Sequence, residues 1–299
     1  MARPSRYQIM ELFKPDIIAV LKQMNKSLFT NVDMNSTFFL HKEEWRLPQK
    51  TSVHDFLQFL LKKKIVKELV MKSPKGSVTR YIFGENTDPY TFDANLVALS
   101  LYPNSYLSHF SAVHYHGLTD EIIKTIYVNK EQSQKQHLMS EGDKPLLQEK
   151  IDSAFSKPMR KTNNFYEYGG QRIYILNGKY TNKLGILEET GYSITNLERT
   201  LIDIAVRPEY SGGVFEVLQI YEKAKGLVSV NKMKAYLSTL DYKYPYHQVI
   251  GFYLERAGYR ESAVGLMESL PIEFNFYLTY EMKNPDYSDR WKLYFPKNL

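Results

Sequence analysis

The sequence has no cysteine. Without thiols there is neither a disulfide framework nor a thiolate metal site, and a reducing, cytoplasmic compartment is the expected location. No run of about 18 apolar residues occurs, so a membrane-spanning helix is not expected. The opening stretch MARPSRYQIMELFKPD is charged and lacks the uninterrupted apolar segment of a signal peptide. Also missing are a P-loop, a GxSxG elbow, an HExxH pair, and a Gly-rich turn followed by an acidic residue at dinucleotide spacing. No fixed-period repeat and no low-complexity tract is evident. These absences point to a protein that binds rather than catalyses, with no cofactor.

What is present is ample material for packed cores: 43% of residues are apolar, and there are 24 Tyr and 16 Phe. At 299 residues the chain exceeds the usual domain size of roughly 100 to 200 residues, so two domains are expected. Charge separates along the chain. Residues 1–84 carry 15 Lys and Arg against 7 Asp and Glu, a net of +8, whereas the remainder carries 24 against 26. A basic first third suits a nucleic acid, because neutralising phosphates and releasing counterions dominates such binding.

The local patterns in that third agree. From Asp16, DIIAVLKQMN places Ile17, Ile18, Leu21 and Met24 on one helical stripe, with Pro15 at the start where a missing N–H costs nothing. After a polar stretch at 31–36, FFLHKEEWRL has roughly helical spacing and stops at Pro48. The strongest helix follows in SVHDFLQFLLKKK, where Val53, Phe56, Leu57, Leu60 and Leu61 mark a single buried face. Its polar front, with Ser52, His54, Gln58 and Lys62 preceded by Lys50, suits a major groove. Asp55 also lies opposite the stripe, where a carboxylate repels phosphate unless it accepts a hydrogen bond from cytosine. IVKELVMK and SVTRYIF read as strands joined by an SPKG turn. Such a basic hairpin is a wing, with Arg46, Lys72, Lys75 and Arg80 placed to meet phosphates.

The expected fold class is therefore α+β: an N-terminal winged helix-turn-helix domain at 1–84, a Gly/Asn/Asp/Pro-rich linker at 85–95, and a larger mixed α+β domain at 96–299. In the latter, helices are expected over 95–101 and 105–116, a strand at KTIYVNK, a helix at KPLLQEKIDSAF, and a hairpin turning at Gly169 and Gly170. A further helix begins in ITNLERTLIDIAV, where Thr195 and Glu198 have capping-box spacing. Three helical segments and two aromatic strands complete the chain. His109, His114 and His116 lie close in sequence, but their spacing is poor for a metal and favours ordinary surface or core histidines. Glu188 with Glu189, and Glu198 with Asp203, are the nearest approach to a metal-holding carboxylate cluster, and the latter pair points in different directions on a helix. Arg199 is expected in a structural or interface ion pair.

Two segments carry a family resemblance. SHFSAVHYHGLT at 108–119, followed by Ile126, Tyr127 and Val128, and later ITNLERTLID at 194–203, resemble the two most specific segments of the AbiEi-like type IV antitoxins, in the same order behind a winged helix. The resemblance implies a transcriptional autorepressor that binds double-stranded DNA at its own promoter and counteracts a nucleotidyltransferase-like toxin. It assigns no catalytic residue. The sequence departs from the family in the long segment between its first two expected helices. The alternative is a stand-alone winged-helix regulator without a toxin partner.

Overall fold

In the computed structural model, residues 4–84, 88–122, 124–134 and 145–299 are described. The fold is α+β. The chain divides into two compact units, one of residues 1–103 together with 165–172, the other of 104–164 and 173–299. Part of the expected linker, 85–87, lies outside the described residues.

The first unit opens with α1 (Arg6–Leu12) and α2 (Lys14–Gln23), with Pro15 in the first turn of α2 and Ile17 and Leu21 buried. Two residues of strand follow, β1 (Leu28–Phe29), and then α3 (Asn31–His41). The stretch read from sequence as a polar connection is thus helix. Thr30 caps it in a reciprocal arrangement with Asp33, and Met34, Thr37 and Phe38 give it a buried face. The helix ends at His41, earlier than Pro48, and Arg46 turns the chain at φ 51° while Trp45 stacks between His41 and Phe56. Next come α4 (Val53–Lys62), β2 (Val66–Ser73) and β3 (Gly76–Phe83). The β2–β3 ladder runs in register from Val66 opposite Phe83 to Ser73 opposite Gly76, closing on Pro74 and Lys75. From α2 onward the order helix, strand, helix, helix, hairpin is that of a winged helix, and β1 joins the sheet beside β3. Phe29, Phe38, Trp45, Phe56, Phe59 and Leu60 fill the core.

Beyond the joint, α5 (Ala94–Leu99) still belongs to this unit. So does β6 (Phe165–Tyr168), which pairs antiparallel with β2 at Lys72 opposite Glu167. The hairpin after it turns at Gly169 and Gly170, both with positive φ, the backbone that a tight two-residue turn demands.

In the second unit, β4 (Tyr106–Leu107) occupies the start of a segment expected to be helical throughout, and α6 (His109–Tyr115) begins after it. β5 (Thr125–Asn129), α7 (Gln148–Phe155), β7 (Gln171–Leu176, in this unit from Ile173), β8 (Ile186–Glu189) and β9 (Tyr192–Thr195) follow. The strand order is β7-β5-β4-β9-β8, with β4 parallel to β9 and antiparallel to β5. α8 (Leu197–Val206) is buried on every side because α6, α9 (Val214–Lys223), α10 (Val230–Leu240) and α11 (Tyr246–Arg256) all pack on it. α12 (Glu261–Glu268), absent from the sequence reading, packs on α10 and α11. The chain finishes in a small sheet of β10 (Phe276–Tyr277), β12 (Leu293–Phe295) and β11 (Asp286–Ser288) in that order. Trp291 lies so close on Gly251 of α11 that a methyl group there would run into the indole.

Candidate nucleic-acid interface

α4 owes its position to two things. Its apolar face, through Phe56, Phe59 and Leu60, is sunk in the core of the first unit. Its start is fixed by Ser52, whose Oγ accepts from the Asp55 N–H at 3.2 Å while Asp55 Oδ2 accepts from the Ser52 N–H at 2.9 Å. Lys42 holds the preceding turn, its Nζ donating to the carbonyls of Gln49 at 2.8 Å and Thr51 at 3.0 Å. With the helix so held, His54, Gln58 and Lys62 stand exposed at intervals of four along one face.

Asp55 is occupied within the protein. Besides the Ser52 N–H and Oγ–H, its Oδ2 accepts from Arg6 at 2.7 Å, and these bonds, led by that from the Ser52 backbone, hold its carboxyl below the usual carboxylate range. The carboxylate that sequence places opposite the apolar stripe is neutralised by its own helix cap and by α1.

The residues selected from sequence fall into two sets. Arg46, Lys50, His54, Gln58, Lys62, Lys72 and Lys75 are exposed, and their side chains have no hydrogen-bond or ion-pair partner among the described residues. Ser52 and Arg80 differ. Ser52 is exposed, but its hydroxyl is committed to the cap. Arg80, expected on a phosphate, is 7% exposed and faces inward. Its guanidinium donates to Ser100 Oγ at 3.1 Å, to the Ser100 carbonyl at 2.7 Å and to the Thr79 carbonyl at 2.8 Å, so it ties β3 to the end of α5. Burial lowers its pKa, as expected where water is withdrawn from a cation. Lys72 has Glu167 opposite it on β6, and Arg172 approaches Glu167 at 3.6 Å. Lys75 sits alone at the hairpin tip. Lys64 and Lys67, not singled out from sequence, are also without a side-chain partner among the described residues, whereas Lys26 pairs with Asp33 and Lys63 with Glu11. A lysine-rich run does not by itself reveal which members are spoken for.

In the second unit the three histidines do not converge. His109 is buried with Nδ1 3.0 Å from Ser108 Oγ, His114 is exposed, and His116 Nε2 lies 2.7 Å from the Thr195 carbonyl. The expected capping box of Thr195 and Glu198 is not formed. Asn196 caps α8 by accepting from the Arg199 N–H, Thr195 Oγ1 pairs with Thr200, and Glu198 accepts from the Ser229 N–H and from Lys232 Nζ at 3.0 Å. Arg199 donates to Asp203 Oδ1 at 2.8 Å and to the Leu184 carbonyl at 2.9 Å. Burial draws the guanidinium pKa down, but the Asp203 carboxylate together with Tyr106 and Tyr242 outweighs it and the pKa rises. The polar residues of the ERTLID segment therefore hold α8 in place. Glu188 and Glu189 lie on β8, exposed, and are engaged by Ser193 and Tyr115.

No protein-family model and no curated protein matches the chain. Among solved structures, the crystal structure of the RV2827C protein from Mycobacterium tuberculosis is similar, with a TM-score of 0.58 at 13% identity over 93% of this chain and 89% of that one. At that identity the likeness concerns the fold. Among the described residues no helix is long and apolar enough to cross a membrane.

Proposed function

We propose that the chain is a sequence-reading, double-stranded-DNA-binding autorepressor and the antitoxin of a type IV toxin–antitoxin pair, counteracting a nucleotidyltransferase-like toxin. The observation that supports DNA reading is the exposed, unpartnered line of His54, Gln58 and Lys62 on α4, flanked by Lys50 and Arg46 and followed by a hairpin tipped with Lys75. Gln and Lys at such positions pair with base edges, and basic hairpins meet phosphates. The antitoxin half is supported by the two family-like segments, 108–119 and 194–203.

Fluorescence anisotropy of the full chain on the duplex upstream of its own gene, against scrambled duplex at several salt concentrations, tests the first half. Lys75→Ala should weaken binding to both duplexes alike and reduce the salt slope by about one unit. Gln58→Ala should instead narrow the preference for the cognate duplex, by about 1 to 3 kcal/mol. Equal affinity of the unsubstituted chain for both duplexes would remove the repressor reading. Co-expression with a neighbouring nucleotidyltransferase-like gene tests the second half: restored growth is expected, and persistent arrest despite specific DNA binding leaves a stand-alone regulator.

A further inference from the structure

The second unit contains a cleft of about 560 Å³ that the DNA reading does not use. Its floor includes Asp203. That residue is 6% exposed, its Oδ1 is taken by Arg199, and its Oδ2 has no hydrogen-bond partner among the described residues. A desolvated carboxylate with one oxygen lacking a donor is costly, and where its remaining accessible edge lines a cleft it favours a ligand that brings an N–H or O–H. Next to Asp203 is buried His109, which lines the same cleft and adopts a left-handed φ of 51°, unusual for a residue other than Gly. Backbone held in such a region is found where side-chain placement matters.

The rim has the opposite character. Six cationic side chains line the cleft, and among the described residues Asp203 is the one carboxylate in its lining. Lys161 is paired with Glu209, and Lys179 donates to the carbonyls of Leu240 and Asp241. Arg160 and Lys243 are exposed, with side chains free of partners among the described residues. Arg207 uses one Nη on the Arg160 carbonyl. Tyr242, Tyr244 and Tyr280 supply aromatic walls. An inorganic anion alone satisfies the rim but not Asp203, and a simple cation is opposed by the surrounding positive charge.

We propose that this cleft binds a nucleotide, with the base stacked among the tyrosines and presenting an N–H to the accessible edge of the Asp203 carboxylate, and the phosphate held by Arg160 and Lys243. Base–aromatic stacking and arginine–phosphate pairing are the ordinary means of such recognition. The site is separate from α4 and the wing, and it stands or falls independently of the repressor and antitoxin readings.

The test is isothermal titration of the full chain with AMP, GMP, CMP and UMP, and with inorganic phosphate and glutamate as controls. Mononucleotides are used because duplex binding through the first unit does not report on them. At least one nucleotide should bind more tightly than phosphate, and the Arg160→Glu, Lys243→Glu double variant, altered only at exposed positions, should lose about tenfold or more in affinity. Asp203→Asn should erase the preference among bases, provided thermal unfolding shows it folded; the rim variant decides the matter otherwise. The variant Gln58→Ala should bind nucleotides as the unsubstituted chain does. No binding at millimolar nucleotide, phosphate or glutamate binding as tightly as any nucleotide, or affinity unchanged by the rim reversal would overturn the proposal.

Discussion

At the scale of single residues, burial decides chemistry more than identity does. Burial pushes the His109 imidazole down to about 4, and the positive charges of Arg207 and Arg199 act in the same direction against the pull of Asp203. The unfolded chain takes up this proton near pH 6.5 and the folded protein only near 4, so the unfolded state holds more protons between those values. Stability contributed by neutral His109 is therefore complete above about pH 6.5, falls as the pH drops, and is gone below about 4, a total on the order of 3 kcal/mol. His247, also lowered by burial, acts with the same sign. Substituting His109→Asn, which tolerates the left-handed backbone, should flatten the difference in urea-unfolding free energy between pH 7 and pH 4 by about that amount. Equal pH dependence in the two proteins would show that the imidazole is not held neutral.

At the scale of elements, caps and partners determine where helices begin and which side chains remain free. Ser52 looks from sequence like a base-reading residue, yet its hydroxyl closes the N-terminus of α4. Ser52→Ala should lower unfolding stability by about 1 kcal/mol, while Gln58→Ala, exposed and without a partner, should change it by less than about 0.5 kcal/mol. A urea titration that ranks the two in the reverse order would contradict this division of roles. The same logic explains what could be read in advance. The amphipathic period of α4, the SPKG hairpin and the Gly169–Gly170 turn are encoded within a few residues, and sequence reading found them. α3 was masked because its first turn is polar, with its buried face carried by Met34 and Thr37 as much as by Phe38. The Thr195 and Glu198 spacing misled because Asn196 caps α8 and Lys232, 34 residues away, takes Glu198. Arg80 misled for the same reason, its partner Ser100 lying 20 residues on. Local signals are legible in a single sequence; side chains whose partners come from distant segments are not.

At the scale of the whole molecule, the basic part of the chain does not end where its charge ends. The winged helix is complete in element order by Phe83, but its unit continues through α5 to Pro103 and recruits β6 from 165–168. The hydrogen bonds of Arg80 to Ser100 and of the Tyr168 hydroxyl to the carbonyls of Pro89 and Phe92 lie within that unit. A fragment cut at 84 loses the Ser100 acceptors of Arg80, keeping only the Thr79 carbonyl, and uncovers the β2 edge at Lys72, which makes it prone to edge pairing between copies. A fragment of 1–103 keeps the Arg80 contacts but still lacks β6. Unfolding midpoints in urea should therefore rise from 1–84 to 1–103 to the full chain, with self-association by light scattering greatest for the shortest. All three retain α4 and Lys75, so on the proposed DNA reading any fragment that remains folded and monomeric should discriminate between duplexes as the full chain does. Identical midpoints for 1–84 and 1–103 would mean that α5 adds nothing to the stability of the winged helix and that Arg80 needs no partner from beyond the joint.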